Sequence, residues 1–314
     1  MTACLFGTLM FRCALLVDTS GLTADTSRVP FGPATECASG LPQPSYLAAD
    51  KDTVYWIQGA STVLSKPATC DGAPAVLAQS LKAPRALTEA GSSVFFAAGD
   101  SGGWTYAHEV PKHGGLAKKT FADGMGSERI PSISIEGNAL ALVSGATVKR
   151  GNTDGTGAFT VAKEQTGASS VVLRAPYVYW NGATSILRSN GASPQAPELF
   201  SPEAVGTSEL VADDATLYWC SADGALRSLR FDQPAGAPVV LDSGLKSPRG
   251  LAVDDSYVYW ASATTGEVAA VPKGGGARIV LATGQAEPYA IAATETAVFF
   301  TDRSAGTLMR IPRR

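Results

Sequence analysis

One position of this 314-residue chain recurs with a chemistry of its own. Ser45, Arg85, Pro131, Ser169, Ser208, Arg249 and Tyr289 each stand eleven residues before an aromatic or apolar anchor. In four copies the preceding residue is proline: Pro44, Pro84, Pro248 and Pro288. Two arginines, three serines and a tyrosine gathered around one opening would form a polar, positively biased funnel. Guanidinium presents a planar fork of donors that matches carboxylate or phosphate. The chemistry is then recognition of a small anionic or carbohydrate ligand, or of a protein that carries such a group. The plainer alternative is that each arginine donates to carbonyls of a neighbouring element. Trp104 stands on the glycine-rich stretch AAGDSGGWTY, 97–106. An indole on such a loop suits a sugar or peptide contact, or else it packs over the edge of its own element. Gln58, Asp100, Asn181, Asp223 and Asp302 fall in equivalent loops.

Other chemistries find fewer residues. Asp213-Asp214 and Asp254-Asp255 invite a metal reading, but they recur with the repeat at tight turns, where aspartate caps its own backbone. The alternating oxygen ligands of an EF-type calcium loop are not present, so no metal site is expected. The two histidines are His108, in a strand-like run, and His113, which replaces a glycine in PKHGG relative to PKGGG at 272–276. No Gly-x-Ser-x-Gly, P-loop or His-Glu-x-x-His motif occurs. No catalytic residue or cofactor is implied. The composition is 45% apolar and 17% charged with a net charge of −3. That describes an ordinary globular chain without the basic footprint that nucleic acid requires.

The elements that must position these residues follow from the anchors, which are Trp56, Phe96, Leu142, Trp180, Trp219, Trp260 and Phe300. Their spacings are 40, 46, 38, 39, 41 and 40 residues by subtraction, and a period near 40 signals a repeat architecture. The fullest unit is LDSGLKSPRGLAVDDSYVYWASATTGEVAAVPKGGGARIVLATG, 241–284. Within it LAVDD, YVYWAS, EVAAVPK and RIVLAT are short β-prone runs bounded by Gly, Pro and Asp. No window sustains helical periodicity. Four strands per unit is the blade of a β-propeller. Val258 and Trp260 should face one neighbouring blade and Tyr259 the other, because strand side chains alternate. The stretch FADGMGSERIPSIS lengthens the approach to blade three, whose anchor has lost its aromatics.

The unit resembles the YWTD repeat of low-density lipoprotein receptors, and TolB-like and NHL-type propellers. The residues that carry this are SGLKSPRGLAVDDSYVYW (243–260) and FFTDRSAGTLMRI (299–311), with Phe299-Phe300-Thr301-Asp302 nearest to the tetrad itself. The resemblance covers about residues 33–314. It implies a propeller, usually of six blades, whereas the anchors here number seven. Pro-Arg at the recurring position is also common in that repeat. The overall plan is similar to that of streptogramin lyases as well, which need histidines on the mouth face. Neither histidine of this chain falls there.

The organisation expected is a single seven-bladed propeller over residues 33–314, with six blades as the alternative, preceded by a leader or linker at 1–32. FGPATECASGLPQPSYLAAD (31–50) aligns with GGARIVLATGQAEPYAIAAT (275–294), while the last unit stops after its third strand. The N-terminal strand should therefore complete the last blade and close the ring. Cys37 in that strand and Cys70 in blade one then meet at the seam, which makes them a candidate disulfide. Cys220 follows an anchor and reads as a buried small residue. The first 18 residues are broken by Arg12 and too short for a membrane span. MTAC also reads as the end of a lipobox, with Cys4 as the lipidated residue and the lipid as the one route to a membrane. The whole suggests an exported bacterial chain acting as a non-enzymatic binding or interaction platform through one face. The alternatives are a lyase or lactonase with its site at the channel mouth, and a structural surface protein.

Overall fold

A computed structural model describes residues 30–121, 129–190, 196–203 and 209–314, so Cys4 and Ser208 lie outside the described residues. Phe31–Arg314 form one compact unit. Its strands make seven antiparallel four-stranded sheets arranged as a propeller, and no helix occurs among the described residues. Blade one shows the order from channel to rim: Pro44–Ala49, Thr53–Gln58, Thr62–Pro67 and Ala75–Ala78. Chain order equals spatial order in the first six blades.

The seventh blade is composite. Pro288–Ala293, Ala297–Asp302 and Thr307–Pro312 come from the end of the chain, and Thr35–Ala38 adds the outer strand. Thr35 pairs with Arg310 and Ala38 with Leu308, and Phe31 bridges to Arg313. This closure by the N-terminal strand leaves no open seam between first and last blades. A disulfide joins Cys37 to Cys70 across 33 residues of chain, and so ties the closing strand to blade one.

The hydrophobic core is a set of slabs, one between each pair of blades. Second strands are apolar on both faces because a neighbour covers each. Val258 and Trp260 pack with Tyr218 and Leu226 of blade five. Tyr259 turns the other way, toward Val298 and Phe300 of blade seven. The other anchors repeat the pattern, so Trp56 faces Phe299 of blade seven and Trp219 faces Tyr179 of blade four. Leu142 fills the anchor place of blade three against Ala97 and Ala107, whose small side chains match the smaller anchor.

The mouth and wall of the central channel

The innermost strands surround a channel of about 540 Å³, lined by residues from all seven blades. Each such strand has one free edge, and its amide groups need acceptors. In blades three to five the strands are regular and serve each other. Ser132 and Ser134 accept from the amides of Val171 and Leu173 at 3.1 and 2.9 Å, and Glu136 accepts from Ala175 at 2.6 Å. Ser170 accepts from Leu210 at 2.9 Å, and Glu209 accepts from Leu251 at 2.9 Å. Ser132, Ser170 and Glu209 occupy the same repeat position, ten residues before their anchors. Glu209 thus does the backbone task of a serine while bringing a carboxyl group to the channel wall.

In blades six, seven, one and two the innermost strands are bulged. The register slips between Arg249 and Leu251, Pro288 and Ile291, Ser45 and Leu47, and Arg85 and Thr88. In blades one, two and six the extra residue adopts left-handed backbone, with φ of +41° at Tyr46, +54° at Ala86 and +56° at Gly250. Glycine is required in blade six, where a Cβ on Gly250 would lie 2.8 Å from the Tyr289 carbonyl oxygen. Tyr46 holds the equivalent conformation with a bulky side chain, which is a genuine outlier. Bulges re-aim side chains and accompany binding sites.

The bulged blades carry the basic and aromatic groups. The guanidinium carbons of Arg249 and Arg303 stand 5.8 and 5.1 Å from the centre of the Tyr289 ring. Arg303 also lies 4.0 Å from Glu287, whereas Arg249 is exposed and no carboxylate or carbonyl engages it among the described residues. Arg85 donates at 3.4 Å to the carbonyl of Ala83 in its own strand, not to a neighbouring blade. Tyr46 is close enough to sense this surface. Burial and then Tyr289 push its hydroxyl above the ordinary phenol range, Arg85 and Arg303 pull it back, and Glu209 pushes it further up. Burial likewise raises the Glu209 carboxyl to about 7, and the Leu251 amide offsets only part of that rise.

Of the seven recurring positions, Pro131, Ser169, Arg249 and Tyr289 line the channel. Ser45 and Arg85 flank it through Tyr46 and Ala86, which do line it. Ser169 is held by Asn181, whose Nδ2 donates to its hydroxyl at 2.9 Å. Asn181 Oδ1 accepts from the Ser169 and Ser170 amides, as Asp302 accepts from the Ala286 and Glu287 amides. These polar ends of second strands therefore fix the connections entering the channel. Trp104 is 40% exposed on its loop, where Asp100 accepts from its amide, and it does not line the channel. Of the histidines, His108 is buried in blade two and stacks on Phe96 at 5.4 Å, and His113 is exposed in an outer turn.

Sequence reading passed over Glu209, Tyr46 and Arg303. The signal for the first two was the position one residue further on from the recurring set. Adjacent residues of a strand point to opposite sides, and in blades one and two the residue that lines the channel is the one at the bulge, Tyr46 and Ala86, rather than Ser45 and Arg85.

On the opposite face, the paired aspartates serve structure. Asp213 Oδ1 caps the amides of Ala215 and Thr216, while its Oδ2 accepts from the Tyr218 hydroxyl at 2.8 Å and pairs with Lys273 of blade six at 2.7 Å. Asp254 repeats this with Tyr259 and Arg313 of blade seven, and Asp50 with Tyr55 and Lys112 of blade two. Each is a latch from one blade to the next.

No protein-family model matches the sequence, and no curated protein matches it. Solved structures do match. The WD40 β-propeller domain of Doa1 aligns with a TM-score of 0.71 at 14% identity, over 90% of this chain and 98% of that one. A catalytically inactive virginiamycin B lyase from Staphylococcus aureus, with quinupristin, aligns at 0.69 and 13% identity, over 90% and 100%. A chain of the nidogen/laminin complex aligns at 0.53 and 16% identity, over 72% and 88%. These likenesses establish the fold alone. The class defined is a seven-bladed β-propeller whose channel mouth is basic and aromatic on its bulged side.

Proposed function

We propose that this chain is a non-enzymatic binding protein working outside the cytoplasm. It takes an anionic group, borne by a small molecule or by a protein partner, at the mouth of blades six, seven, one and two. The observation that carries this reading is the coincidence of two features. The four blades with bulged innermost strands are those that supply Arg249, Tyr289, Arg303, Tyr46 and Arg85. Left-handed backbone at a tyrosine is costly and persists where the surroundings over-determine it, often at functional sites. The propeller fold is compatible with an interaction platform. The Cys37–Cys70 disulfide supports an oxidising compartment, and lipidation at Cys4 would hold the chain to a membrane there. A lyase or lactonase is the second reading, favoured by the two titratable groups Glu209 and Tyr46 on the channel wall.

The test is a thermal-shift screen with anions, sugars, short peptides and calcium on the wild type and on Arg85→Ala/Arg249→Ala. Anions are expected to raise the wild-type melting temperature and to leave the double variant unmoved. An equal response from both proteins would remove the arginines from the reading. Turnover of an ester or lactone abolished by Glu209→Gln would favour the enzyme.

A further inference from the structure

The channel holds an arginine and an acid that do not pair. The Arg249 guanidinium is exposed at the mouth with a tyrosine ring as its neighbour and no carboxylate. The Glu209 carboxyl lines the same cavity, and no cation of the described residues forms an ion pair with it. Its one bond among the described residues is from the amide of Leu251 to Oε2. Leu251 stands two residues along the strand from Arg249. Glu209 of blade five thus reaches the strand of blade six that carries Arg249. A half-buried carboxyl without a cation is costly to ionise, and desolvation raises the Glu209 carboxyl to about 7. A cation brought by a ligand would complete the site. Tyr46 lines the same cavity, and an aromatic ring attracts an ammonium.

We infer that the ligand of this channel is zwitterionic, its carboxylate on Arg249 and its ammonium on Glu209, as a short peptide with both ends free would offer. A simple anion would use the arginine and leave Glu209 idle. The inference rests on the reading of the mouth as an anion site and adds the class of ligand.

Isothermal titration with a set of dipeptides, their N-acetylated and C-amidated forms, and acetate separates the two. The proteins are the wild type, Glu209→Gln and Arg249→Ala, each checked for native melting. Glutamine keeps an acceptor for the Leu251 amide, so that variant should fold. Free dipeptides should bind the wild type at least tenfold more tightly than either blocked form. Acetylation should make no difference in Glu209→Gln, nor amidation in Arg249→Ala. If N-acetylated and free dipeptides bind the wild type equally, Glu209 reads no ammonium and the inference fails while the anion site stands. If neither acetate nor any dipeptide binds, both fail.

Discussion

Glu209 shows how a single substitution within a repeat creates a chemical group without disturbing the fold. Serine at the same place in blades three and four already accepts an amide from the next blade, and the longer carboxylate inherits that bond. Its consequence is a dependence of stability on pH. Burial raises its carboxyl from 4.5 to about 7. Between those values the folded chain holds a proton that the unfolded chain has lost, so stability falls as pH rises through the window. Thermal melts should therefore show Glu209→Gln more stable than the wild type at pH 8 and equal to it near pH 4.5. An unchanged pH slope in the variant would show that the carboxyl is not the group responsible. At Gly250, alanine meets both a left-handed φ of +56° and the backbone of blade seven at 2.8 Å. Gly250→Ala should cost about 1–3 kcal/mol in urea unfolding.

At the scale of the element, blades are joined by slabs and latches. Trp219 donates from its indole to the Glu203 carbonyl at 2.9 Å, whereas the buried indole nitrogen of Trp56 has no partner among the described residues. Replacement by phenylalanine should therefore cost about 1 kcal/mol more at Trp219 than at Trp56, the worth of one net hydrogen bond. The Asp213–Tyr218–Lys273 latch ties blade five to blade six. Asp213→Asn and Lys273→Met should each cost about 1–3 kcal/mol, and the double variant less than their sum, because the pair is partly buried and shared. Burial pushes Asp213 and Asp50 up, but bonds from lysine, tyrosine and backbone outweigh it and hold both below the usual carboxylate range. Their contribution is present above pH 3.8 and disappears as pH falls through their lowered values. Where the aspartate is missing so is the latch. Blade four has Arg174 in its place, and its Tyr179 packs on Phe231 at 4.8 Å instead.

For the whole molecule, stability depends on one closure made by two distant parts of the chain. The strand Thr35–Ala38 completes a sheet with residues near 310, and the 33-residue disulfide loop prevents it from peeling away. Cys37→Ser/Cys70→Ser should lose about 3–4 kcal/mol by loop entropy, read in denaturant titrations of the oxidised protein. A loss confined to a few tenths of a kcal/mol would mean that strand pairing alone secures the seam.

The sequence by itself determined the architecture. A period near 40, aromatic anchors and a missing outer strand leave one arrangement that covers both faces of every blade, and the seven sheets and their closure agree. It also determined that Asp213 and Asp254 cap turns, since that is a bond between neighbours in the chain. The tertiary structure decided which residues reach the channel. A bulge reverses which side of a strand faces inward, and four of the seven innermost strands have one. It also decided that Glu209 is half-buried on the channel wall and that the latches pair blades, because those contacts join residues about 40 or more positions apart. Their energies arise from packing between units, and a periodic sequence specifies the units before it specifies what lies between them.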